Sequence, residues 1–216
     1  NKFCIIKGLF EEEEINEYKD LIDRQKVNFP IIQDTRTYDQ LLIKSLKRIV
    51  GGSIYSGKPV TRAMEIIYLP IKGNDIIEKI SLKLIEFRNL FLGLDINFAN
   101  SSTGDYFTIP KLHRYPRGGG FLAGHIDNFA DDFNLGLGEK SYYQVSLTIS
   151  KLGKDYKLGG GFIKPNDEVI VFDKFSNPGD IVIFDAAFIH GVEQVDPLEV
   201  FTFDDNLGRS ALFVTI

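Results

Sequence analysis

The sequence predicts an α+β protein, a double-stranded β-helix (jelly roll) with N-terminal helices packed on one of its sheets. Up to about residue 95 the apolar residues mostly recur at a helical period, whereas after about residue 104 short β-rich runs follow one another. There are eight such runs, most of them separated by clusters of glycine, proline, Asn or Asp. That spacing belongs to a sandwich or barrel, and eight strands close a jelly roll around a cavity. No short linker divides the 216 residues, so 1–216 is expected to form one domain. Within it, 1–103 is the mainly helical part and 104–216 the jelly-roll core.

Each element has a local reason. In LFEEEEINEYKDLIDRQ (9–25), Ile15, Tyr18 and Ile22 share one helical face. Glu11 to Glu14 sit where a helix N-terminus favours negative charge, so the acidic run reads as a solvated first turn rather than a metal site. TYDQLLIKSLKRIV (37–50) opens with Thr37 and Gln40 at capping-box spacing and offers Leu42, Leu46 and Ile49 as an inward stripe. A second helix is therefore expected there. AMEIIYLP (63–70) reads as a strand stopped by Pro70. NDIIEKISLKLIEFRNLFLG (74–93) reads as a third helix. Asp75 and Glu78 lie at its start, Ile77, Ile80, Leu84 and Phe87 form its stripe, and Gly93 suits a left-handed C-terminal position. The eight runs are YFTIPKLHRY, FLAGHI, YQVSLTIS, GGFIKP, EVIVFD, DIVIFD, FIHGVEQV and SALFVTI.

Composition excludes several classes. Lys and Arg total 25 against 30 Asp and Glu, a formal charge of -5, which argues against a nucleic-acid binder. One cysteine, Cys4, excludes an internal disulfide framework and a cysteine-based zinc site, and suits a cytoplasmic protein. No apolar run approaches the roughly 20 residues that span a bilayer, so no membrane partner is expected. The chain opens on Asn1 without a methionine, which leaves room for a segment ahead of it. No repeat or low-complexity segment is evident, and the oligomeric state is not legible.

Three histidines are available: His113, His125 and His190. His125 and Asp127 close the second β run, and His190 opens the seventh. In a jelly roll the second and seventh strands are neighbours in one sheet, so the three side chains can meet. Two imidazoles and one carboxylate form the facial triad that holds iron(II) and leaves coordination positions open. Arg209, at the start of the last run, would be a costly buried charge unless a carboxylate meets it. A dicarboxylate cosubstrate would do so bidentately, and pairing with Asp204 or Asp205 at the loop mouth is the alternative.

Gly118 to Gly120 and Gly159 to Gly161 lack the lysine and helix start of a phosphate loop, and read as close approaches or turns. Pro178-Gly179-Asp180 is a turn without assigned chemistry. His113 is either a satisfied core or surface histidine or a cavity residue beside Tyr115. Arg114 and Arg117 are either substrate-carboxylate contacts or solvated strand-end charges. The segment 128–141 reads either as a lid over the site or as an ordinary surface loop.

The ordered set HRYPRGGGFLAGHID, YQVSLTIS, GGGFIKP, PGDIVIFDAAFIHGV and GRSALFVTI resembles the iron(II)- and 2-oxoglutarate-dependent dioxygenases. It looks closest to the branch of prolyl hydroxylases and small bacterial hydroxylases, over roughly residues 104–216. The resemblance implies that His125, Asp127 and His190 bind Fe(II), that Arg209 binds the distal carboxylate of 2-oxoglutarate, and that Tyr115 hydrogen-bonds the same cosubstrate. It implies a hydroxylase that uses O2 on an unactivated C–H bond. Prolyl hydroxylases carry a lysine where Arg209 stands, so their substrate is not carried over. The Arg-x-Ser pairing of many relatives is also absent, since Ala211 holds the third position. A small molecule, such as an amino acid or biosynthetic intermediate, is the expected substrate. A peptidyl hydroxylase and a non-catalytic metal- or ligand-sensing jelly roll are the alternatives. Desaturation, cyclisation and epimerisation would follow from the same hydrogen abstraction.

Overall fold

The computed structural model describes residues 3–26, 32–33, 42–43, 46–51, 60–70, 75–100, 107–127 and 143–215. Among these residues two α-helices, α1 (Glu12–Gln25) and α2 (Asp75–Leu92), accompany thirteen strands. Five strands precede residue 100: β1 (Phe3–Ile6), β2 (Ile32–Gln33), β3 (Leu42–Ile43), β4 (Leu46–Gly51) and β5 (Arg62–Tyr68). The rest are β6 (Lys111–Pro116), β7 (Gly120–His125), β8 (Tyr143–Thr148), β9 (Gly160–Lys164), β10 (Ile170–Val171), β11 (Ile181–Asp185), β12 (Ile189–Val195) and β13 (Gly208–Phe213). Each of the eight sequence-predicted β runs overlaps one of these later strands.

Eleven strands form one antiparallel sheet in the order β1-β11-β8-β13-β6-β5-β7-β12-β9-β10, with β4 beside β5. The second and seventh strands of the expected jelly roll, β7 and β12, are paired with His125 opposite His190. The two short strands β2 and β3 pair with each other.

Alternation along the strands separates two environments. One face supplies Ile67, Leu112, Leu147, Ile181, Ile183 and Leu212 to the main core, where Ile15, Tyr18 and Ile22 of α1 and Ile77, Ile80 and Leu84 of α2 meet them. The helices therefore lie on this one sheet face. The other face carries Met64, Ile66, Tyr115, Val192, Val182 and Phe184 in two smaller clusters. α1 begins on a reciprocal cap in which the Glu11 N–H donates to Glu14 at 3.1 Å. α2 ends at Gly93 with φ 70°, as the left-handed C-terminal position requires. Among the described residues no helix is long and apolar enough to cross a membrane.

The helix expected over 37–50 is corrected. Thr37 and Gln40 lie outside the described residues, and the described remainder is β3 and β4. β4 pairs with β5 from Leu46 opposite Ile67 to Gly51 opposite Arg62. Leu46 and Ile49 sit three apart, which imitates a helical stripe. In an extended strand that spacing puts them on opposite faces, and each finds its own core: Leu46 joins the helix-covered cluster and Ile49 the inner one.

Candidate active site

β7 and β12 bring His125, Asp127 and His190 together. One potential ligand atom from each lies within 4.8 Å of the others. Asp127 Oδ1 is 3.5 Å from His125 Nε2, and Asp127 Oδ2 is 3.3 Å from His190 Nε2. Both imidazoles present Nε2 for the same reason. His125 Nδ1 lies 3.0 Å from the Ala123 carbonyl oxygen and His190 Nδ1 2.9 Å from that of Phe188. A carbonyl only accepts, so each Nδ1 carries the proton and each Nε2 keeps its lone pair. Gln144, from β8, donates to Asp127 Oδ2 at 2.8 Å. Two neutral nitrogens and one carboxylate converging on a point are the donor set of a divalent cation with N/O preference. Burial opposes ionisation of Asp127, but the neighbouring His190 and the hydrogen bond from Gln144 outweigh it and leave the carboxyl below its ordinary range. Burial likewise holds the His125 imidazole below its ordinary pKa.

The triad opens onto a cavity of about 680 Å³ whose walls include His113, Tyr115, Phe172, Phe184, Val192 and Arg209. Arg209 is buried, at 3% exposure, between two aromatic faces; its Cζ lies 5.5 Å from the Tyr115 ring centre and 5.8 Å from that of Phe172. Its partner is neither Asp204 nor Asp205. Those acids serve Arg48 and Arg117. Arg209 Nε and Nη2 instead donate to Asp173 at 2.7 and 3.2 Å. Asp173 Oδ2 also accepts from the Tyr156 hydroxyl at 2.6 Å and from the Gly161 N–H at 2.8 Å. Burial works against the guanidinium's charge, and the adjacent Asp173 more than offsets it, so the Arg209 pKa is pushed up.

This pairing consumes one edge of the guanidinium. Arg209 Nη1 is buried and has no partner among the described residues. A carboxylate is the group that would complete it, so the residues fit the far end of a dicarboxylate. Gly161 permits the arrangement: a side chain there would run into Arg209 Nη2 and the Phe172 ring. The bland reading of Gly159 to Gly161 as a close approach is what the chain uses.

His113 and Tyr115 both line the cavity, as alternate residues of β6. Burial, with the charges of Lys111 and Arg209 adding to it, drives the His113 pKa down from 6.5 to about 3, so its ring is neutral. Burial pushes the Tyr115 hydroxyl up to about 12. Arg114 and Arg117 are placed elsewhere. Arg114 faces the opposite side of β6 and is buried against Glu65, Asp23 and Asn206. Arg117 pairs with Asp205 at 3.1 Å. Neither borders the cavity. The segment 128–141 lies outside the described residues.

Sequence reasoning missed Asp173, Gln144 and Arg62. EVIVFD reads as one strand, yet it is extended only over Ile170–Val171, and a 3-10 turn at Phe172–Lys174 swings Asp173 inward. Arg62 shares the cavity face with Met64, Ile66 and Tyr68. The alternation of TRAMEIIYLP could have found it.

The sheet has the double-stranded β-helix fold, and solved structures share it. A prolyl-4-hydroxylase from Pseudomonas putida matches with TM-score 0.58 and 14% identity over 99% of this chain and 91% of that one. The non-heme alpha-ketoglutarate-dependent epimerase SnoN of nogalamycin biosynthesis gives 0.56 and 12%, over 99% and 77%. A 2OG-Fe(II) oxygenase family oxidoreductase from Burkholderia pseudomallei gives 0.52 and 11%, over 99% and 84%. No protein-family profile and no curated protein matches the sequence. At these identities the likeness defines the fold.

Proposed function

We propose that the chain is an Fe(II)- and 2-oxoglutarate-dependent oxygenase that hydroxylates a small molecule such as an amino acid or biosynthetic intermediate. The observation that carries this reading is the coincidence of two half-sites in one cavity. At one, His125, Asp127 and His190 present lone pairs to a common point; at the other, Arg209 keeps a buried, unpartnered Nη1. A metal-chelating dicarboxylate satisfies both. The fold shared with a prolyl hydroxylase and an epimerase supports the same reading.

In this reading Fe(II) and 2-oxoglutarate supply the oxidising chemistry with O2, yielding succinate and carbon dioxide as the substrate is hydroxylated. The chain supplies the rest. His125 and His190 hold their Nε2 atoms in place through the Ala123 and Phe188 carbonyls, and Gln144 fixes Asp127. Asp173, Tyr156 and the Gly161 N–H hold the Arg209 plane so that its free edge meets the distal carboxylate. The Tyr115 hydroxyl stays protonated at neutral pH and is available as a donor to that carboxylate. Phe172, Phe184, Leu122 and Val192 exclude water from the space between.

Succinate formation by the purified protein tests the proposal. It should require added Fe(II) and 2-oxoglutarate and vanish in His125→Ala and His190→Ala. Its absence from the wild-type protein across a broad panel of small molecules and proline-containing peptides would sink the oxygenase and leave a ligand-sensing jelly roll. Turnover confined to the peptides would move the substrate class to a peptidyl one.

A further inference from the structure

Arg62 is the exception among the arginines of this chain. Of those described, Arg24, Arg48, Arg88, Arg114, Arg117 and Arg209 all donate side-chain hydrogen bonds to a protein acceptor. Arg62 donates none among the described residues, and its Nε is buried without a partner. It is the first residue of β5, and its side chain borders the same cavity as the triad and Arg209. β5 pairs with β7 at this point, with Arg62 opposite Leu122 on the strand that ends at His125.

The charge balance of the cavity points the same way. Among the described residues of its lining, Arg62 and Arg209 are guanidinium groups and Asp127 is the carboxylate. Asp127 is committed to the imidazoles and Gln144, and Asp173 stands behind Arg209. A half-buried guanidinium with a buried N–H and no counter-charge among the described residues is costly unless a ligand completes it, and a planar fork suits a carboxylate.

We propose that Arg62 is a second carboxylate anchor in this cavity, separate from Arg209. The carboxylate comes either from an acidic substrate or from the metal-proximal end of the cosubstrate, an assignment that rests on the oxygenase reading. The unpaired guanidinium sets the ligand class in both cases.

The test uses Mn(II) as a redox-inert metal and compares wild type with Arg62→Gln and Arg62→Lys, each first shown to unfold at the wild-type midpoint. Calorimetric titration of the Mn(II)-loaded proteins with 2-oxoglutarate forms one arm. Titration of the Mn(II)- and 2-oxoglutarate-loaded proteins with N-acetyl amino acids and their matched amides forms the other. A loss of roughly tenfold or more in 2-oxoglutarate affinity in Arg62→Gln, partly restored in Arg62→Lys, supports the anchor with the cosubstrate as its ligand. An unchanged 2-oxoglutarate affinity, with a wild-type preference for acids over amides that disappears in Arg62→Gln, supports it with the substrate as the source. If neither quantity changes, or wild type binds acids no better than amides while 2-oxoglutarate affinity is unaffected, the anchor is overturned. Failure of the wild-type protein to bind Mn(II) or 2-oxoglutarate would instead strike the oxygenase reading. The acid-amide comparison on metal-free protein would then still decide whether Arg62 holds a carboxylate.

Discussion

Asp173→Asn removes one charge from a pair in which Arg209 is 3% and Asp173 5% exposed. The asparagine oxygen can still take the Oδ2 position and receive Arg209 Nε, the Tyr156 hydroxyl and the Gly161 N–H. Its amide nitrogen then faces Arg209 Nη2, donor against donor, where Oδ1 accepted at 3.2 Å. The guanidinium is left buried without a counter-charge. Breaking one side of such a pair costs about 3–5 kcal/mol, a large part of the roughly 5–15 kcal/mol that holds a domain folded. With a urea dependence of about 2–3 kcal/mol per molar, the unfolding midpoint should fall by about 1–2.5 M. Far-UV circular dichroism reads it. Arg209→Met should be comparably damaging, since it strands the Asp173 carboxylate. The double variant should lose less than either single one, because a methionine between Tyr115 and Phe172 packs without a charge to satisfy. A single Asp173→Asn within about 1 kcal/mol of wild type, or a double variant that loses the sum of the two, would refute the buried-pair reasoning.

Three further outcomes follow from the same geometry. His113 has a folded-state pKa of about 3 against an ordinary 6.5. Below pH 6.5 the unfolded chain therefore takes up a proton that the folded chain refuses, and stability should decline as pH falls toward 3. The difference in unfolding free energy between wild type and His113→Asn, measured across that window, should change with pH; a flat difference would place the imidazole in water. Gln144→Leu takes the donor from Asp127 Oδ2 and should weaken Mn(II) binding about 10–100-fold; titration shows whether the amide matters to the metal at all. Gly161→Ala drives a methyl into Arg209 Nη2 and the Phe172 ring and should cost about 1–3 kcal/mol, with an undiminished midpoint counting against the close approach.

The triad was legible because two of its members lie on one short run and the third on a run whose jelly-roll position makes it a neighbour. The pairing of His125 with His190 is that expectation realised. What escaped did so for local reasons. Leu46 and Ile49 imitate a helix because this strand places one partly buried apolar residue on each face, three positions apart. Asp173 escaped because the chain turns at Phe172, a bend that no glycine or proline announces. Arg62 fell one residue before the run that was read as a strand. Arg114 could have been sorted correctly, since His113 and Tyr115 facing inward force the residue between them to face out.

That last alternation has an engineering consequence. On β5 and β6, Met64, Ile66, His113 and Tyr115 face the cavity, while the buried Glu65 and Arg114 between them join Lys26, Asp23 and the more exposed Arg48 in an ionic cluster on the far side. Ligand shape and scaffold cohesion are thus written on interleaved letters of the same two words. Odd and even positions can be rewritten separately: Met64 or Ile66 can be exchanged to reshape what the cavity admits while the ionic cluster keeps every partner. Insertion of one residue within Glu65–Tyr68 or Lys111–Arg114 would exchange the two messages, delivering charges to the cavity and leaving the helix-facing side without its ties.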